Sequence, residues 1–310
     1  MTRFVRSLLP ALAGLALCTV PAAAYDLPAV NLGFTSFLDG GPPAGPGHYL
    51  SEYVQYYTAD RLNDDDGNKI PGVKGVDVTV AMTQYIYQSN QPLLLGGKWG
   101  VNVMLPLVSF DADVLPDNGT GFGDLLVGPY LQWDPIMGPN GPRFMHRIEL
   151  QTVLPTGEYD RNKALNQGSN HWSFNPYWSA TAFFGPKVTA SWRLHYLLNG
   201  TNDQPFVGLP GSPDEVKPGQ AFHANFAAAY EVLPKQLRLG VNGYYLDQFT
   251  DSEYDGVKVK GGQEKVLAVG PGLVWHFSQD AHLFANGYFE TEARNRPQGE
   301  RYNLRFVYHF

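Results

Sequence analysis

The residues able to do chemistry in this 310-residue sequence are few and scattered. The densest group is Asn63-Asp64-Asp65-Asp66-Gly67-Asn68, whose carboxylates would suit a hard cation. Aligning Gly67 with the glycine of an EF-hand loop puts Leu62 at the first ligand position and Val73 where the bidentate glutamate belongs. The stretch therefore reads as a solvated acidic loop. Eight histidines show no H-x-H or H-x-x-x-H spacing for a metal. No G-x-S-x-G elbow, phosphate loop or dinucleotide fingerprint occurs. Leu154-Pro155-Thr156-Gly157 lacks the spacer of a sortase signal and marks a strand giving way to a loop. What remains is a set of polar residues placed singly inside apolar alternations: Tyr130, Arg147, Glu149, Arg193, His195, His223, His276, Arg305 and His309. Spacing assembles none of them into an acid–base or nucleophilic set. Their common property is the face they share.

That face belongs to strands. Side chains alternate across a strand with period two, and from about residue 47 the chain divides into segments of roughly ten residues with this period. Trp99, Val101, Val103, Leu105 and Leu107 fall on one side of one segment. Leu125, Val127, Pro129, Leu131 and Trp133 oppose Asp124, Gly128, Tyr130 and Gln132 in the next. Phe144, Ile148, Leu150 and Leu154 oppose Arg147, Glu149 and Gln151, and Val188, Ala190, Trp192, Leu194 and Tyr196 oppose Thr189, Ser191, Arg193 and His195. Further on, Phe222, Phe226 and Tyr230 oppose His223, Asn225 and Glu231. The last segment sets Tyr302, Leu304, Phe306, Tyr308 and Phe310 against Asn303, Arg305, Val307 and His309. A water-soluble sandwich also alternates, but here charges sit mid-strand on one face and aromatic residues close the other, like interfacial girdles. The first two segments, around 48–58 and 75–88, alternate poorly and leave their facing open.

Composition agrees. With 34 Gly, 18 Tyr, 18 Phe, 6 Trp and only 16 % charged residues, the chain is turn-rich and aromatic, which fits an all-β protein. Arg3 and Arg6, an apolar run from Leu8 to Val20 and Ala22-Ala23-Ala24 form a secretory signal peptide over 1–24, too short and broken by Pro10 and Gly14 to span a membrane. Leu17 before Cys18 is too bulky for a lipoprotein signal. Cleavage removes Cys18, the one cysteine, and so excludes disulfides and thiolate metal sites. It also takes two arginines, moving the net charge from −7 to −9 (−7 − 2), the wrong sign for a nucleic-acid binder.

Short turns at 184–187, 233–235 and 278–280, with a slightly longer one near 134–142, separate long polar loops at 59–74, 111–120, 155–170, 199–218, 250–262 and 291–300. Twelve strands, tight turns at one rim and loops at the other describe an outer-membrane antiparallel β-barrel over 47–310, with periplasmic turns and extracellular loops. Residues 25–46 are Gly/Pro-rich, yet Leu32, Phe34, Phe37 and Leu38 are too apolar for a free tail. The expectation is a plug inside the barrel. Pro106, Pro129, Pro176 and Pro271 fall within strands, where each deletes a ladder donor. Pro129, Pro176 and Pro271 are candidate kinks of the wall.

Several motifs together, "NLGFTSFLDGGPPAGPGHY", "DDDGN", "GFGDLLVGPYLQW", "VLPTGEYD", "NQGSNHWSFNPYWSATAFF" and "WRLHYLLNG", make the whole mature chain resemble the "MetA-pathway of phenol degradation" family of outer-membrane transporters. That family is in turn distantly similar to long-chain fatty acid and toluene channels. In those channels an N-terminal hatch fills a barrel, usually of fourteen strands, and hydrophobic cargo leaves through the wall.

The resemblance implies a channel for passive movement of small hydrophobic compounds, aromatic or phenolic ones among them, without cofactor or metal. Its partners would be outer-membrane lipid, the hydrophobic ligand and the barrel-assembly machinery, which would read the strand ending in Phe310; the chain would be monomeric. The alternatives are a barrel enzyme, hydrolase or acyltransferase, and a structural or adhesive barrel with a blocked lumen. An enzyme would need a Ser–His or Asp–His contact near one rim.

Overall fold

A computed structural model of the chain describes residues 27–310 except 29, 43, 73–74, 113–115 and 140. The signal-peptide reading of 1–24 lies outside the described residues.

Among the described residues twelve strands follow one another around a closed antiparallel barrel. The first three are Gly47–Leu62, Val76–Leu94 and Gly97–Ala112. The next three are each in two pieces: Thr120–Phe122 with Leu125–Gln132, Gly141–Glu149 with Thr152–Leu154, and Ser173–Phe174 with Tyr177–Phe184. Val188–Asn199, Ala221–Leu233, Leu237–Gln248, Lys265–His276, Ala281–Arg294 and Pro297–His309 complete the wall. The twelfth strand pairs with the first from Tyr49↔His309 to Leu62↔Pro297. This closure matters because an unpaired strand edge leaves donors and acceptors that lipid cannot satisfy.

Burial reports the alternation directly. On the twelfth strand Tyr302, Leu304, Phe306 and Tyr308 are exposed to the outside, whereas Asn303 and Val307 are buried within. The outer faces of the third, fourth and seventh strands are the apolar ones read from the sequence. The first two strands also have a definite facing: Tyr49, Tyr53, Tyr57, Met82 and Ile86 point inward, and Leu50, Val54, Tyr56 and Tyr85 outward. Their alternation is weak because both faces mix apolar and polar residues: Ser51, Gln55 and Gln84 are buried inside, and Glu52 is exposed outside. The inner face packs against the N-terminal segment, as in the edge-on contact of Phe34 with Tyr53 at 5.8 Å between ring centroids.

At the turn rim, Leu95 (φ 51°) and Gly96 (φ 77°) make a two-residue turn between the second and third strands, the left-handed pair that matches strand twist. At the other rim the long-loop expectation for 291–300 is corrected. The eleventh and twelfth strands run through it, leaving Asn295 and Arg296 as the turn. Glu290, Glu292, Arg294 and Glu300 place polar groups on both faces of this hairpin. A ladder above the membrane needs no apolar side, so no period-two signal marks it. The first strand likewise takes 59–62 from the expected loop 59–74. Loops 199–218 and 250–262 carry a small sheet of Val216–Lys217, Ser252–Tyr254 and Val257–Val259.

Candidate functional site

The segment preceding the first strand lies against the inner wall without regular structure of its own. Its Gly/Pro content forbids a ladder, so its backbone groups need other partners, and inward-facing side chains supply them. Gly33 N donates to Asn225 Oδ1 at 2.7 Å, Leu38 N to Ser191 Oγ at 2.9 Å and Gly40 N to Thr181 Oγ1 at 2.9 Å. Gln55, Gln132 and Asn303 donate to the carbonyls of Leu32, Gly40 and Phe34. Leu32 joins a buried cluster with Leu197, Tyr244, Leu246 and Tyr288, and Phe37 joins one with Tyr130, Val274 and Phe284. Leu38 packs at the edge of the Phe37 cluster, half-buried. Phe37 sits where strands are thinnest: a Cβ at Gly240 or Gly272 would lie 2.8 Å from its ring. Only glycine leaves that seat open.

The strongest single attachment is ionic. Arg193 Nε and Nη2 donate to Asp39 Oδ2 and Oδ1, each at 2.6 Å, and both side chains are buried. Such a bidentate pair is among the stronger side-chain contacts available. The Arg193 guanidinium also stacks on Tyr177, 4.2 Å from the ring centroid.

Around this pair the inward face forms a connected polar layer. Tyr177 OH donates to Glu149, and Arg147 Nη2 donates to Tyr177 OH at 2.9 Å. Asn102 Nδ2 donates to Glu149 Oε1 at 3.1 Å. Gln84 Nε2 donates to Asn102 Oδ1, and Tyr53 OH donates to Gln84 Oε1. Tyr130 lies under the Arg147 guanidinium at 5.0 Å. His195 and His223 stack at 4.0 Å and share the Asn175 oxygen, at 3.2 and 3.0 Å. Nearer the loop rim, Tyr57 and Tyr244 both donate to Glu290, and Arg301 lies over the Tyr57 ring at 4.5 Å.

The structure thus brings Tyr130, Arg147, Glu149 and Arg193 into one layer, with the His195–His223 pair adjoining it through the Tyr177 ring, 4.7 Å from that of His195. Arg305 stands apart, and His309 sits at the turn rim, bonded to Asp280 and to the Pro46 carbonyl. Sequence reading missed Asp39, Tyr177, Asn102 and Glu290. Asp39 carried a signal, being the single charged residue between Leu27 and Pro46.

The prolines differ among themselves. Pro129 faces outward, and its carbonyl accepts Leu150 N at 2.9 Å. Pro176 lies between the two pieces of the sixth strand, and its carbonyl accepts Tyr196 N. At Pro271 the pairing of the tenth and eleventh strands lapses between Val269↔Phe289 and Gly272↔Asn286. Asn242 Nδ2 donates to the Gly287 carbonyl there at 3.2 Å, where Pro271 has no N–H to offer.

Two contacts bear on the enzyme alternative. Ser173 Oγ is 3.3 Å from His171 Nδ1, but it donates to Asn199 Oδ1 at 2.8 Å and is fully buried. His309 Nδ1 lies 2.9 Å from Asp280 Oδ1. His309 Nε2 meets the Pro46 carbonyl, which is no nucleophile.

Two cavities open from the wall. One of about 740 Å³ lies at the loop rim beside Trp172, Phe174, Leu198 and Gln220. The other, of about 760 Å³, lies on the turn side of the segment, between Phe37, Leu38, Tyr49, Phe284 and Arg305.

Against known proteins, residues 59–306 match the family model described as "Putative MetA-pathway of phenol degradation". The chain belongs to this phenol-degradation family. Its fold is similar to that of an outer membrane channel from Pseudomonas putida F1, at 19 % identity, covering 91 % of this chain and 100 % of that one with a TM-score of 0.74. The TodX monoaromatic hydrocarbon channel, as a deletion mutant, aligns at 6 % identity over 86 % of this chain and 91 % of that one, TM-score 0.48. The beta domain of the Bordetella autotransporter Brka aligns at 11 % over 86 % and 100 %, TM-score 0.47. No curated protein sequence matches the chain. The chain thus carries the twelve-stranded barrel of an outer-membrane channel fold.

Proposed function

We propose that this chain is a passive outer-membrane channel for small hydrophobic compounds, aromatic ones among them, with residues 25–46 as its gate. The observation that carries this reading is the seating of an apolar, unstructured segment across the barrel by one ion pair and a few side-chain hydrogen bonds. Such contacts exchange for water or ligand without breaking the wall. Membership in the phenol-degradation family supports aromatic cargo. Tyr130, Arg147, Glu149, Arg193, His195 and His223 would line the path once the segment moves.

The lapse at Pro271 is one interruption of the wall's ladder and a point where hydrophobic cargo would leave sideways. The chain acts as a monomer in this reading, inserted by the barrel-assembly machinery through the strand that ends in Phe310. An acyl-transfer activity has less support, because the buried Ser173 gives its proton to Asn199 rather than to a histidine base.

Deleting residues 27–46 tests the gate. Ion conductance in planar bilayers is expected to rise severalfold, and unchanged conductance would remove the segment from any gating role.

A further inference from the structure

Among the described residues Arg305 is an interior cation that meets no carboxylate; Arg301, the other, already donates to Gln55 Oε1 and the Tyr244 hydroxyl. Its neighbours follow from register: Tyr53 on the first strand and Phe284 on the eleventh lie directly across from it. Its guanidinium carbon is 5.3 Å from the Tyr53 ring centroid and 5.0 Å from that of Phe284. Arg147 and Arg193 meet Glu149 and Asp39; Arg305 makes no ion pair among the described residues, and its Nε is buried without a partner. Stacking occupies the faces of a guanidinium and leaves its edge donors free.

Arg305 is one of the residues lining the 760 Å³ cavity on the turn side of the segment. The lining combines apolar Phe37, Ile86, Phe284 and Val307 with an excess of positive charge. Four cationic side chains, Arg147, Lys235, Arg238 and Arg305, face the cavity against two carboxylates, Asp39 and Glu231. Asp39 is already neutralised by Arg193, Glu231 by Arg238 and Arg147 by Glu149, which leaves Lys235 and Arg305 as the uncompensated charges. A chain of net charge −7 has therefore placed a locally cationic, partly aromatic chamber behind its gate. Other unpartnered polar atoms adjoin Arg305 on the same inner face: Ser51 Oγ, His282 Nε2 and Asn303 Oδ1.

We propose that this chamber is a binding site for a monoaromatic carboxylate, with Arg305 as its specificity-determining residue. The proposal rests on the channel reading above and narrows its cargo. A carboxylate is ionised at neutral pH and accepts two parallel N–H donors from a guanidinium edge. A phenol, with a pKa near that of tyrosine at about 10, stays neutral and gains much less. The ring of the ligand would rest on Phe284 and Phe37, in the offset or edge-on contacts aromatic pairs prefer.

The test uses full-length protein, with benzoate and the neutral benzyl alcohol as probes. In proteoliposomes at neutral pH, Arg305→Gln is expected to lower the ratio of benzoate to benzyl alcohol uptake by about tenfold or more, the worth of a charge-assisted pair. Arg305→Lys, which keeps the charge without the fork, should retain part of that ratio. A ratio unchanged in Arg305→Gln overturns the proposal and leaves the channel reading standing. Calorimetric titration of the wild-type protein is the second measurement, and it holds even if the variants do not assemble. Benzoate should bind at least about tenfold tighter than benzyl alcohol, and equal binding overturns the proposal. If the wild-type protein passes neither compound, the channel reading fails, while the titration still decides whether the site exists.

Discussion

Asp39→Asn removes one charge from the contact between the N-terminal segment and the wall and leaves its shape almost intact. Asp39 and Arg193 meet through two bonds of 2.6 Å with side chains 5 % and 4 % exposed. Removing one partner of a buried pair costs about 3–5 kcal/mol, because the survivor remains charged in a poorly solvated place. Asparagine still offers one oxygen to the guanidinium, so the lower end, about 3 kcal/mol, is the appropriate figure. The backbone donors of Gly33, Leu38 and Gly40 contribute about 1 kcal/mol each, so no other polar contact of the segment matches the ion pair. At 1.4 kcal/mol per factor of ten, a loss of about 3 kcal/mol multiplies the population with the segment displaced by roughly 100-fold. Single-channel recording should show the fraction of time in the larger conductance state rise accordingly. The double variant Asp39→Asn/Arg193→Gln should fall short of the sum of its single effects, since it no longer buries a lone cation. Wild-type gating in Asp39→Asn, or strict additivity in the double variant, refutes the ion pair as the latch.

Two further outcomes follow from the wall. Asn242→Ala leaves the Gly287 carbonyl without its donor beside Pro271 and should destabilise the barrel by about 1–3 kcal/mol. The check is the midpoint of heat-induced mobility change on gels, and a midpoint at or above wild type would show that the carbonyl needs no such partner. Glu52 faces outward beside Phe306 and accepts a hydrogen bond from Thr83 Oγ1 at 3.0 Å. A carboxylate on the lipid face is unfavourable, so Glu52→Leu should stabilise the protein by about 1 kcal/mol in urea unfolding from lipid vesicles, and a lower midpoint would contradict the outward placement.

Local periodicity made the wall readable. Where one face meets lipid and the other meets polar groups, as over Leu125–Gln132 or Val188–Asn199, the facing of each side chain followed from alternation alone. It failed where that asymmetry is absent. The first two strands carry aromatic and aliphatic residues inside as well as outside, Tyr49, Tyr53 and Ile86 meeting Phe34 and Phe37 among polar neighbours such as Gln55 and Gln84. The hairpin through 291–300 is polar on both faces. The interior partnerships were illegible for a different reason. Asp39 and Arg193 are 154 positions apart, and Tyr57 and Glu290 are 233 apart. Closing a barrel brings such pairs together through the cumulative register of twelve strands, which no local pattern encodes.

In the proposed channel the polar residues of the inner face line a passage, and in this structure they hold the N-terminal segment that lies within it. Asn225, Ser191 and Thr181 accept backbone N–H groups that a glycine- and proline-rich stretch cannot satisfy itself. The same chemistry serves both states. When the segment leaves, these side chains turn to water or to a polar cargo group at small net cost, because each bond is replaced rather than lost. Breaking a strand from the wall would instead strip ladder bonds in lipid, where nothing replaces them. If the segment is the gate proposed above, a piece held by side chains is therefore a cheaper moving part than a strand of the wall. Such a gate would rest on the few contacts that solvent cannot replace: the seat of Phe37 on Gly240 and Gly272, and the Asp39–Arg193 pair.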